Sequence, residues 1–277
     1  MRTRLVRVRR RRPMGVVLAT AMLVVALLGY LSLQNPVLRS MDARRTEAPG
    51  APRPTALAAS SSAERLTEDV RLGDVALYAV QLGAYDGADQ AQVEAARYVR
   101  RGAAGYVHID GTRRVLGAGY ATRAEAETVV KRLSEDEGIA AAVYAATAES
   151  VLLRVTATRD QLDALTIAER TLREGAQALG SLAFSLDKGE VALGDAARQV
   201  QSLAAAALAA RDGLIVQAGD DPNAVASGLI ELLSAFDKNL SDSVSNGHTL
   251  MDFSSRMKYN YLDVRLKHIA FLRGLRG

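Results

Sequence analysis

Four side chains between residues 80 and 145 combine polar chemistry with positions on strand faces: Gln81, Tyr106, Arg114 and Tyr144. The Gln81 amide both donates and accepts, so it suits a ligand rich in hydroxyl or amide groups. A tyrosine ring can pack against a ligand while its hydroxyl stays wet, a role open to Tyr106 and Tyr144 if they share a sheet surface with Gln81. Arg114 presents a fork of donors for carbonyls or carboxylates. Each residue also has a plainer reading: an exposed strand glutamine, two surface tyrosines and a solvated arginine beside a hairpin. Catalysis has less to stand on. His108, His248 and His268 are the only histidines, and none lies three or four residues from another, so no helical metal pair exists. The chain has no cysteine, which removes disulfides and thiolate ligands. No nucleophile elbow, phosphate loop or zinc signature occurs, and no acid and base pair stands out among the carboxylates. The expectation is a binding protein, not an enzyme, with no metal or cofactor.

The elements that would position these residues begin at Leu77. In LYAVQLGAY, Tyr78, Val80 and Leu82 share one face while Ala79, Gln81 and Gly83 share the other, the alternation of a half-buried strand. Helical spacing follows from about Asp89 to Arg101, closed by Gly102. Asp110-Gly111 then marks a hairpin, whose register sends Val107 and Ile109 toward the helices and leaves Tyr106 and His108 opposite. Thr122 with Glu125 has capping-box spacing and opens a helix that ends before Gly138. IAAAVYAA supplies a fourth strand. The order βαββαβ predicts a ferredoxin-like or RNP-like α+β sheet with helices on one side and an open face on the other. Val151 to Ala157 is either a further edge strand or a connector.

Beyond residue 150 the composition changes, and all four phenylalanines lie after residue 180. Thr158 and Gln161 form a second capping-box pair ahead of a stripe of Leu162, Leu165, Leu172, Leu179 and Leu182. Further helices are predicted from Glu190 to Asp212, from an Asp221 N-cap with Pro222 at the first helical position, and from about Thr249. Residues 151–277 therefore read as an all-α bundle of four antiparallel helices.

The N-terminus carries seven arginines in its first twelve residues, then twenty uncharged residues over 14–33. At roughly 1.5 Å per residue that run covers about 30 Å, so 13–33 is expected to be a transmembrane signal anchor with the basic tail, 1–12, in the cytoplasm and the later domains outside. A cleaved secretory signal is the competing reading; the length of the run and the lack of a small-x-small site favour retention. Residues 34–74, rich in Pro, Ala and Ser, read as a flexible linker. Without the leading arginines the chain has 28 bases against 31 acids, which leaves no positive field for nucleic acid.

Val80-Gln81-Leu82-Gly83-Ala84-Tyr85, then Arg114-Val115-Leu116 and Thr122-Arg123-Ala124-Glu125-Ala126-Glu127, resemble a SPOR domain over about residues 75–150. The chain departs from that family at Gly117-Ala118-Gly119-Tyr120, where an apolar residue, Gly-Pro and an aromatic are usual. The resemblance implies an RNP-like fold that binds peptidoglycan glycan strands stripped of stem peptides, in cell division or sporulation. It adds Tyr85 and Tyr120, which match family aromatics at strand exits, to Gln81, Tyr106, Arg114 and Tyr144 as glycan-binding candidates. The expectation is a membrane-anchored, non-enzymatic peptidoglycan-binding protein whose helical domain contacts an envelope or divisome protein. The alternatives are a regulator of a peptidoglycan hydrolase and an envelope protein-interaction scaffold.

Overall fold

The structure, a computed structural model, describes residues 64–276. Six strands and six helices follow in the order β1 (Arg65–Leu72), β2 (Val75–Tyr85), α1 (Ala88–Val99), β3 (Tyr106–Asp110), β4 (Thr112–Tyr120), α2 (Arg123–Glu137), β5 (Ala142–Ala148), β6 (Val151–Thr158), α3 (Arg159–Asp187), α4 (Leu193–Ala218), α5 (Ala224–Asn246) and α6 (Leu250–Gly274). The strands β2 to β5 make an antiparallel sheet in the order β3-β4-β2-β5. Its β2-α1-β3-β4-α2-β5 path is the expected split βαβ arrangement. The described residues form one compact unit.

Local chemistry explains most of the boundaries. Thr122 caps α2 in a reciprocal capping box with Glu125, and Gly138 ends it in the left-handed conformation. Thr158 and Gln161 open α3 in the same way. Asn223, not Asp221, caps α5, its carboxamide oxygen accepting from the Val225 and Ala226 amides. The helix therefore starts two residues later than the Asp221-Pro222 pair suggests. Helix α4 starts and ends later than expected. It packs through Ala196, Val200, Ala204, Ala207 and Ala210, small residues that let α3 and α5 approach closely.

Three expectations are corrected. The single-pass membrane anchor, with the membrane localisation and topology that followed from it, has no support: no described helix is long and apolar enough to cross a membrane. Even the 29-residue α3 buries only one stripe and carries charges throughout the other. The segments 1–12, 13–33 and most of 34–74 lie outside the described residues. The linker expectation also fails at its C-terminal end, because residues 65–72 are strand β1, paired antiparallel with β6 from Arg65↔Thr158 to Leu72↔Val151. Val70 and Leu72 turn inward from this ladder. Segment 151–157 is thus a strand, but one that pairs with β1 outside the main sheet.

The third correction concerns the open face. Helices α1 and α2 cover one side of the sheet, burying Val80, Leu82, Val115, Ala91, Ala95 and Ala126 together. The other side carries Leu77, Ala79, Leu116 and Ala146, and α6 packs across it. Those residues are too apolar to be left wet; at about 25 cal/mol per Å2, covering them is favourable by several kcal/mol. Tyr261 makes the fit specific. A Cβ at Gly119 of β4 would lie 2.9 Å from the Tyr261 ring, and one at Gly180 of α3 would lie 2.8 Å from it, so the ring sits where both neighbours lack a side chain. Tyr261 and Leu262 are buried there.

Candidate binding surface

Helix α6 leaves one end of its sheet face uncovered, and the polar residues gather at that end. Gln81 on β2 lies opposite Leu116 on β4 and Ala142 on β5, at a β-bulge against β4. The bulge slips the register so that the Arg114 side chain reaches across and donates from Nη1 to Gln81 Oε1 at 2.9 Å. The Arg114 guanidinium also stands over the Tyr144 ring, 5.4 Å from its centroid. Tyr144 donates its hydroxyl to Asp110 Oδ2 at 3.1 Å and sets its ring 5.3 Å from that of His108. Asp110 Oδ2 in turn lies 4.0 Å from Arg114 Nε. Four strands thus deliver one connected patch: Gln81, Arg114, Tyr144, His108 and Asp110.

The electrostatics are mild. Burial, then the hydrogen bond to Asp110, raises the Tyr144 pKa, so the hydroxyl stays a donor at neutral pH. Burial lowers that of His108. Arg114 Nε is buried with no hydrogen-bond partner, and the Gln81 amide nitrogen is left available beside it. An arginine fork, an amide, an aromatic ring and a carboxylate in one shallow surface can hold a ligand of hydroxyl and amide groups. They lack a nucleophile with an activating base. Among the described residues no group of three or more His, Asp or Glu side chains could hold a metal ion.

The remaining sequence candidates fall elsewhere. Tyr106 is on the expected face but beneath α6: its hydroxyl donates to Asp263 Oδ1 at 3.2 Å and its ring packs 4.9 Å from Tyr259. Burial and then the Asp263 charge raise its pKa. Tyr120 is 7% exposed and packs against Phe184 at 4.8 Å, its pKa pushed up to about 12 chiefly by burial. Tyr85 packs against the α1–α2 side of the sheet. None of these three joins the patch. Ile109, expected to face the helices, is 70% exposed because the β3–β4 hairpin tip projects past them. The residues that sequence reasoning passed over are Asp110, whose turn position was plain but whose carboxylate role was not, and the α6 side chains Asp263 and Tyr259, which have no local signal linking them to a strand more than 150 residues earlier.

With this geometry in view, comparison with known proteins gives one positive result: residues 74–175 match the SPOR domain family. The match runs from β2 through β6 and past the middle of α3, further than the sequence resemblance reached. SPOR domains are peptidoglycan-binding, non-catalytic modules, which agrees with a non-enzymatic protein. No curated protein and no solved structure matches the chain.

Proposed function

We propose that this chain is a non-enzymatic peptidoglycan-binding protein that takes glycan through the uncovered end of its sheet face. The observation that carries the reading is a coincidence of position: the SPOR match encloses the one stretch of that face where Gln81, Arg114, Tyr144, His108 and Asp110 connect. Gln81 and Arg114 would serve the acetamido and hydroxyl groups of the sugar, with Tyr144 against a ring face. Glycan bared of stem peptides during cell division is the target that the resemblance implies. Tyr85, Tyr106 and Tyr120 take no part in this surface.

A second observation favours a scaffold role beside binding. On α4, Leu208, Ile215 and Val216 are exposed at seven- and eight-residue spacing, one stripe of the outer bundle. Such a stripe suits an envelope protein, a peptidoglycan hydrolase under regulation among them, and needs no membrane anchor. Co-sedimentation of the chain with purified sacculi, before and after an amidase strips the stem peptides, tests the main reading. Pelleting that rises on stripping and falls with Gln81→Ala or Arg114→Ala is expected. Failure to pellet with either preparation would leave the scaffold as the function.

A further inference from the structure

Where the start of β2 meets the helical bundle, a cavity of about 450 Å3 opens between the β1–β2 turn, α3 and α6. Arg71, Arg173 and Arg265 line it, together with Glu169, Asp74 and Gln177. The acids do not balance the arginines evenly. Glu169 is already engaged, accepting from the Gly73 amide at 3.2 Å and pairing with Arg173 Nε at 3.4 Å; Arg173 also pairs with Glu174 at 3.6 Å, Arg71 donates to Ser150 Oγ at 3.0 Å, and Asp74 is exposed on the turn. Arg265 is the anomaly. It is only 8% exposed, its Nε is buried without a hydrogen-bond partner, and among the described residues it forms no ion pair. Its guanidinium carbon stands 5.6 Å from the centroid of the Tyr261 ring.

A buried guanidinium with no counter-charge is costly, because water is lost and nothing replaces it. Arginine cannot escape the cost by losing its proton. The side chain nevertheless borders a space large enough for a small molecule, which Arg71 and Arg173 also line. We infer that this cavity is an oxyanion site, in which Arg265, supported by Arg173 and Arg71, takes a phosphate or carboxylate group of a small molecule through paired N–H donors. It is separate from the Gln81 patch, which lies past the midpoint of β2, and does not depend on the glycan reading.

The buried His268 is in keeping with this field. Burial first, then the charges of Arg265 and Arg173, hold its pKa at about 4. The test is thermal unfolding of the full chain against inorganic phosphate and, separately, malonate, each compared with sodium chloride at matched ionic strength. A saturable rise in Tm is expected with one or both, about 5 to 10 °C at a hundredfold excess over Kd. Phosphate alone would assign a phosphoryl ligand and malonate alone a carboxylate. Arg265→Met is expected to abolish the rise and to raise the Tm of the ligand-free protein, since it removes the uncompensated charge. Arg71→Gln, at an exposed position whose one side-chain bond is to Ser150, should weaken binding several-fold while the Tm of the ligand-free protein stays near the parent's. No saturable rise with either anion, or a rise that persists unchanged in both variants, would overturn the inference.

Discussion

At the scale of single residues, the patch around Gln81 is held together by contacts that matter more for binding than for stability. Arg114→Ala removes the bond to Gln81 and the stacking on Tyr144, both at a half-exposed surface, and should cost no more than about 1 kcal/mol of fold stability. A folded variant that pellets with stripped sacculi as well as the parent would sink the proposed surface. His268 behaves in the opposite way, remote from that patch and important to the fold. It is 1% exposed, neither ring nitrogen has a partner, and its pKa lies at about 4 against an ordinary 6.5. Below pH 6.5 the unfolded chain takes up a proton that the native state refuses. Stability is therefore full above pH 6.5 and declines as pH falls toward 4, by up to about 3 kcal/mol. Denaturant unfolding at stepped pH should show that decline, and His268→Leu should flatten it; an NMR titration of the His268 ring near 6.5 in the native protein would refute it. Gln81 could be read from sequence because strand alternation alone puts it opposite Val80 and Leu82. The buried state of His268 could not, since it depends on which side of α6 meets α3 and the sheet.

At the scale of elements, helix α6 decides what the sheet can do. The capping threonines at 122 and 158 were legible because an N-cap is local chemistry, and the start of α6 near Thr249 was legible as well. The cover over the sheet was not, although Leu77, Ala79 and Leu116 on the supposedly open face were a sign that something must bury them. Strand β1 was hidden for a related reason: its alternation is broken by Glu68, and its partners on β6 lie 79 to 93 residues further on. The departure at Gly117-Ala118-Gly119-Tyr120 gains a physical meaning here, since Gly119 is where α6 reaches the sheet. Gly119→Val drives a side chain into Tyr261, Leu262 and Leu77 and should destabilise the protein by about 1 to 3 kcal/mol. Tyr261→Ala empties the same contact and should cost about 3 to 5 kcal/mol. Chemical denaturation of both variants checks this, and parent-like midpoints would mean that α6 is not locked on the sheet.

At the scale of the whole molecule, the boundary near residue 150 does not separate two independent bodies. The sheet shares its core with α3 and α6, and the β1–β6 ladder ties the entry and exit of the sheet region to the start of the bundle. Residues 64–276 should unfold in one cooperative transition, while a 75–150 fragment, with Leu77, Ala79, Leu116 and Ala146 uncovered, should bind a hydrophobic dye and lose its sharp transition. A 75–150 fragment as cooperative as the longer protein would contradict a shared core. The ladder also sets how the molecule would carry tension. Because Arg65 faces Thr158 at its outer end, the whole sheet region hangs as a loop between two adjoining points of the chain. A pull between the N-terminal side and the helices would open the β1–β6 bonds one after another, like a zip. Until the last of them parted, at Leu72 and Val151, the load along the chain would bypass the sheet and leave the proposed binding surface unstretched.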